Sequence, residues 1–203
     1  MRELERFFEE YKSDEGRLTY KIKSYEPIYE TFLEGYRNKE VTLVEFGVGY
    51  GGSLQMWRTY LGPEALIYGI DKDDARCYQE YRITCIQGDQ GDISFLKSLP
   101  SRIPDIDVVI DDGSHVCKHQ VDTFESMFPA IKRGGLYFCE DTHTSYRDEY
   151  GGGYKREGSF IEYCKGLVDA LNHRESDAIP KPDFINEIES ISFHRSLVMV
   201  KKS

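Results

Sequence analysis

Apolar and polar positions along the chain follow first a helical period and then an alternation of short apolar runs with helical stretches. Leu4, Phe7, Phe8 and Tyr11 recur at helical spacing, which predicts an amphipathic helix from Arg2 to Lys12. Ser13-Asp14-Glu15-Gly16 reads as a turn. Tyr25 to Tyr36 predicts a second helix, with Pro27 near its first turn and Ile28, Phe32 and Leu33 on one face. Val41-Thr42-Leu43-Val44 then reads as a buried parallel strand, and Leu54 to Leu61 as a helix that Ser53 is placed to cap. Leu66 to Asp71, Ile83 to Gln90, Asp107 to Asp112 and Leu136 to Asp141 are further strands, each ending in acids or an acid-amide pair. Between them, Asp74 to Tyr81, Asp92 to Leu99 and Lys118 to Ile131 predict helices, the last stopped by Gly134-Gly135. His143 to Gly158 is polar, carries Gly151-Gly152-Gly153, and reads as a mobile loop. Ser159 to Asn172 resumes as a helix, and Ile188 to His194 with Leu197 to Lys201 predicts a closing antiparallel hairpin.

This alternation implies an α/β fold: a Rossmann-like, doubly wound, mostly parallel sheet with helices on both faces and a C-terminal antiparallel hairpin. The whole chain, 1–203, reads as one domain, with N-terminal helices in 1–40 and the Rossmann-like core in 41–203. In such sheets the ligand crevice lies beyond the carboxyl ends of the strands. That is the edge where the acids collect.

Composition narrows the partners. The net charge of -10, without a lysine or arginine run, argues against nucleic acid and against an anionic membrane surface. The five cysteines, Cys77, Cys85, Cys117, Cys139 and Cys164, lack C-x-x-C spacing and read as reduced, in a cytoplasmic protein without a zinc site. Met1 to Arg6 is charged, unlike a signal peptide, and no apolar run is long enough to span a membrane.

The candidate chemistry begins at Glu45-Phe46-Gly47-Val48-Gly49-Tyr50-Gly51-Gly52-Ser53. A strand, a glycine turn and a helix N-terminus let backbone approach a ligand closely. Gly47, Gly49 and Gly52 formally satisfy G-x-G-x-x-G, so a dinucleotide is allowed, but Glu45 before them points to a ligand with a positive end. Asp71 stands roughly 20 residues beyond the turn, where an acid reaches ribose hydroxyls of either NAD or an adenosyl cofactor; capping of the next helix is the plainer alternative. Asp89-Gln90 could accept from an adenine amino group or form a local turn. Asp111-Asp112-Gly113-Ser114-His115 and Glu140-Asp141 bring carboxylates and an imidazole to neighbouring strand ends. Carboxylates packed together repel, so the cluster calls for a cation, and oxygen donors suit magnesium, manganese or calcium. Asp112, Glu140 and Asp141 are the ligand candidates. His115 is placed to take a proton from something bound to that ion. His119 and His143 are minor candidates, and Trp57 reads as core.

Glu45 to Gly49 followed by Asp71 resembles the first motif and second-strand acid of class I S-adenosylmethionine-dependent methyltransferases. Asp111 to His115, Glu140-Asp141-Thr142-His143-Thr144-Ser145-Tyr146, Gly88-Asp89-Gln90, Tyr150 to Gly153 and Ile191 to Leu197 resemble the metal-dependent sugar O-methyltransferases of macrolide and aromatic-polyketide biosynthesis. The resemblance runs from about Ser13 onward. It implies S-adenosyl-L-methionine and Mg2+ as cofactors, His115 as general base, and Asp112, Glu140 and Asp141 as metal ligands. It places Glu45, Gly47, Gly49, Ser53, Asp71, Asp89, Gln90 and Asp111 around the cofactor, with His143 and Tyr146 as acceptor contacts. Two departures stand out: Asp14-Glu15-Gly16 where relatives have Asp-Lys-Gly, and Thr19-Tyr20 where a histidine is expected. The chain is also expected to lack the extra N-terminal domain of some relatives, and self-association into a homo-oligomer stays open.

The expected function is methylation of a hydroxyl on a small-molecule acceptor, most simply a sugar on a natural product or polysaccharide. The alternatives are an NAD(P)-dependent oxidoreductase, which leaves the carboxylate cluster unexplained, and a non-catalytic binding protein of the same fold.

Overall fold

The computed structural model describes residues 3–10, 19 and 21–203. Its strands are β1 (Val41–Phe46), β2 (Ala65–Asp71), β3 (Ile83–Gln87), β4 (Ile106–Asp111), β5 (Leu136–Cys139), β6 (Ile188–His194) and β7 (Leu197–Lys202). Its α-helices are α1 (Glu3–Glu10), α2 (Glu26–Leu33), α3 (Gly52–Leu61), α4 (Ile93–Ser98), α5 (Cys117–Met127) and α6 (Phe160–Ala170). The strands form one seven-stranded sheet in the order β3-β2-β1-β4-β5-β7-β6. β1 to β5 pair in parallel, whereas β7 runs antiparallel to β5 and β6. β1 is central and buried at every position, which is why its sequence is almost continuously apolar rather than alternating.

Successive strand residues face opposite sides of the sheet. One side packs Leu43, Ile67, Val108, Ile110 and Phe138 under Leu4, Tyr29, Leu33 and Trp57 of α1, α2 and α3. The other packs Val44, Phe46, Val109 and Tyr137 under Leu96, Phe124 and Phe160 of α4, α5 and α6. No helix among the described residues is long and apolar enough to cross a membrane. All five cysteines are unpaired thiols, and four of them are buried.

Several local expectations change. The turn expected at Ser13 to Gly16 lies outside the described residues. The cap of α3 is Gly51 in the left-handed region, and Ser53 lies inside the helix, where its hydroxyl turns down to a strand acid instead. Asp74 to Tyr81 holds only a 3-10 turn at Arg76–Tyr78, because Asp74 folds back onto the Arg76 backbone and guanidinium. α5 ends at Met127, ahead of a 3-10 turn containing Pro129. The polar segment after β5 forms two 3-10 turns, Thr142–Tyr146 and Asp148–Tyr150, with Thr142, Thr144 and Ser145 buried. Backbone bonds from Gly152 to Arg147 and from Gly153 to Ser145 close it on itself.

The glycine turn depends on one residue above the others. Gly47 has φ +88°, and a Cβ there would stand 2.1 Å from the carbonyl oxygen of Asp112. Left-handed backbone costs an L-residue about 1–2 kcal/mol, and the clash with a strand end adds to it. Gly47→Ala is therefore expected to lower stability by at least about 2 kcal/mol. Urea unfolding checks this, and an unchanged midpoint would refute it.

Candidate active site

The sheet order reverses direction between β1 and β4, and the crevice opens above their carboxyl ends. Two cavities share that crevice. One, of about 170 Å³, is lined by Phe46, Ile70, Lys72, Gly88, Asp89 and Gln90 among others. The second, of about 370 Å³, is lined by Thr19, Lys21, Val48, Tyr50, Ser53 and the acid-histidine residues Asp112, His115 and Asp141. Gly47, Asp71 and Gly113 border both, so the cavities meet at the glycine turn.

Asp71 is tied to that turn. Its Oδ2 accepts the backbone N–H groups of Val48 (2.8 Å) and Gly49 (3.3 Å), and Oδ1 accepts that of Asp73. A carboxylate has capacity for more donors, so ribose hydroxyls can still reach it. The same arrangement disfavours a pyrophosphate, because the amides that would cradle it already hold a negative group. Gln90 donates to Asp111 Oδ1 (2.6 Å) and accepts the N–H of Ser114 (2.8 Å), which fastens the third strand end to the fourth. Glu45 and Asp111, expected to line the cofactor pocket, lie beneath it, fully or almost fully buried. Parity is the reason: Asp111 follows Val109 onto the α5 side, where Tyr137 also donates to it. Burial pushes the Asp111 carboxyl up to about 7, against the lowering effect of Gln90 and Tyr137.

The acids divide into two overlapping groups, both containing Asp112. Asp112, His115 and Asp141 place ligand atoms within 4.8 Å of one another on the cavity wall. Glu45, Asp112 and Glu140 form a second, deeper group. Glu140 is 1% exposed, and its pKa is pushed up by burial and then by the charge of Asp112. Asp141 accepts a hydrogen bond from the Tyr25 hydroxyl at 2.7 Å, and His115 Nε2 stands 3.7 Å from its Oδ2. His143 lies 3.9 Å from the other Asp141 oxygen and contacts Ser196, whereas Tyr146 is exposed at the end of its turn. His119 bonds Ser114 instead of reaching the acids.

Both His115 (φ +59°) and Asp141 (φ +52°) adopt left-handed backbone, which non-glycine residues do rarely. Such strain persists only where surrounding contacts hold it, and here Thr144 Oγ1 donates to the carbonyls of both His115 and Asp141. His115 Nδ1 is buried without a hydrogen-bond partner among the described residues. A buried polar atom in that state has capacity for a partner that a ligand or water supplies. Carboxylate oxygens from Asp112 and Asp141, with Glu140 beside them, are the hard donors a small divalent cation takes. The residues present therefore fit such an ion.

Lys21, Tyr25 and Tyr29 were not legible as site residues. Lys21 and Tyr29 both reach Glu140, but Lys21 precedes the 3-10 turn at Lys23–Tyr25 while Tyr29 lies on α2, so no helical spacing in the sequence links them. Ser196, at the hairpin turn, anchors Tyr25 and His143 from the far edge.

This sheet, with its reversed antiparallel edge, has the class I methyltransferase fold. The chain is 37% identical over 192 residues to the 8-demethyl-8-alpha-L-rhamnosyl tetracenomycin-C 2'-O-methyltransferase of Streptomyces olivaceus, covering 89% of this chain and 50% of that one. It is 36% identical to the mycinamicin VI 2''-O-methyltransferase of Micromonospora griseorubida, covering 87% of this chain and 47% of that one. A structure of the MycE methyltransferase from the mycinamycin biosynthetic pathway, in complex with Mg, SAH and mycinamycin VI, superposes with a TM-score of 0.89 at 33% identity. That match covers 100% of this chain and 54% of that one. No protein-family model matches. The chain is thus a homologue of the sugar O-methyltransferases of macrolide and aromatic-polyketide pathways, and it spans about half the length of the curated relatives it matches.

Proposed function

We propose that this chain is an S-adenosylmethionine-dependent, divalent-metal-dependent O-methyltransferase acting on a sugar hydroxyl of a small-molecule acceptor. The observation that carries this reading is the cavity that joins the glycine turn to Asp112, His115 and Asp141. Donor and acceptor would meet there. Gly47 and Gly49 would give the methyl donor a close backbone surface, Asp71 its ribose contact, and Asp89 with Gln90 the adenine side. Asp112, Asp141 and Glu140 would hold the ion. When bound, that ion supplies positive charge that favours the deprotonated form of a nearby acceptor hydroxyl. His115 would take the proton at its imidazole, with Asp141 fixing the ring. Alignment of the hydroxyl oxygen with the methyl carbon would supply much of the acceleration.

The acceptor has a further place to go. A cavity of about 600 Å³ begins at Val116, next to His115, and is walled by Val121, Tyr150, Arg156 and Tyr163. Apolar and aromatic walls with a few charges suit the body of a glycosylated compound. The names of the relatives, which specify a rhamnosyl tetracenomycin-C and mycinamicin VI, support that class.

The test is methyl transfer from radiolabelled S-adenosylmethionine to rhamnosylated or macrolide acceptors. Activity should vanish with EDTA, return with Mg2+, and show no counterpart with NAD. Transfer undiminished after exhaustive metal removal would refute the metal-dependent reading.

A further inference from the structure

The deeper acid group is not empty of charge. Lys21 is buried, and its ammonium lies 2.6 Å from Glu140 Oε1, 2.8 Å from Asp112 Oδ2 and 2.9 Å from Glu45 Oε1. Its side chain is 1% exposed, and it faces the ring of Trp57 at 5.8 Å. The three carboxylates come from the ends of β1, β4 and β5, on the side of the sheet covered by α2 and α3. Asp112 and Glu140 are thus claimed twice: by this ammonium, and by the divalent ion that the proposed function requires. Lys21 also borders the cavity containing Asp112, His115 and Asp141.

We propose that Lys21 is a resident cation of the acid cluster that competes with the divalent ion for Asp112 and Glu140, and so sets the metal affinity. The inference rests on the metal-dependent reading above. Two effects of Lys21 oppose each other. Its charge gathers mutually repelling carboxylates, which helps any cation that follows. Its charge also repels that cation and occupies the same oxygens. Other groups already do the gathering: Tyr29 donates to Glu140, and Ser53 and Trp57 donate to Glu45. Competition therefore outweighs preorganisation. Lys21 is a positioning residue, touching the ligand carboxylates rather than the reacting atoms.

The probe is Mn2+ alone, titrated into metal-free protein and followed by calorimetry and by the rise in melting temperature. Lys21→Met should bind Mn2+ at least about tenfold more tightly than the wild type and show a larger metal-induced rise in melting temperature. Lys21→Arg, which keeps the charge, should bind within about threefold of the wild type. If Lys21→Met does not fold free of metal, Mn2+ should restore its folding, since the divalent ion would then be the counter-charge. Equal or weaker Mn2+ binding by folded Lys21→Met, or no recovery of folding at saturating Mn2+, overturns the inference. Absence of Mn2+ binding to the wild type would instead overturn the metal-centre reading itself.

Discussion

Replacing His115 should lower methyl transfer by roughly 10²–10⁴-fold, the range spanned by loss of a positioned acid or base, while S-adenosylhomocysteine binds with nearly unchanged affinity. The imidazole stands at the wall of the second cavity, with Nε2 toward Asp141 and Nδ1 unpartnered among the described residues. The glycine turn and Asp71, by contrast, are built without it: the turn's amides are held by Asp71 and its close approach is to Asp112. Backbone geometry complicates the choice of variant. His115 has φ +59°, where alanine is less comfortable than histidine or asparagine. His115→Asn keeps that backbone and removes the base, so it separates chemistry from folding. His115→Ala should lose the same activity and a further ~1 kcal/mol of stability. Single-turnover rates beside calorimetry with S-adenosylhomocysteine measure both. Near-normal turnover by folded His115→Asn would remove His115 as the base.

Asp111→Asn should stabilise the metal-free protein at alkaline pH and leave it nearly unchanged in acid. Burial raises the Asp111 pKa from the ordinary carboxylate range to about 7. The folded chain then holds this proton more tightly than the unfolded chain. Below about pH 4 both states are protonated, and the group has no net effect on stability. As pH rises from about 4 to about 7, the unfolded chain releases the proton first and stability falls; above that window the loss is complete. The full loss is on the order of 4 kcal/mol. An asparagine carries no such proton and can still accept from Gln90, which donates to Oδ1 at 2.6 Å. Urea midpoints for both proteins, in EDTA, should diverge from pH 4 to pH 7 and then run parallel. Midpoints separated by the same interval at every pH would contradict the assignment of a buried Asp111 with a raised pKa.

The strands and their direction were legible because a buried parallel strand needs a short, continuously apolar run. Val41–Phe46 and Ala65–Asp71 satisfy it within a residue or two of the expected bounds, whereas Ile83–Gln87 ends three residues before the expected Gln90. The closing hairpin was legible for a different reason, as two alternating runs broken by Arg195-Ser196. Helices were less so where polar side chains compete with the backbone: Asp74 replaces the expected helix by a single 3-10 turn. The segment from His143 to Gly158 looked like an open loop because its composition is polar. Thr144 and Ser145 are nonetheless buried, since their hydroxyls find partners in the His115 carbonyl and the Ile161 amide.

At the strand ends, local composition alone dictated that acids would gather on one edge of a parallel sheet, beside a glycine turn. It could not say which acids would share a centre. That depends on strand order and on the two-residue alternation of faces, neither of which is a local property. Strand order put β4 beside β1, and parity sent Glu45, Asp112 and Glu140 to the α2 side while Asp111 went to the α5 side. The long-range approach of Lys21 to the first set followed from packing of the N-terminal segment against α3, across 91 residues of chain in the case of Asp112. An ion pair of that span leaves no periodic mark, because neither partner's neighbours need to know of the other.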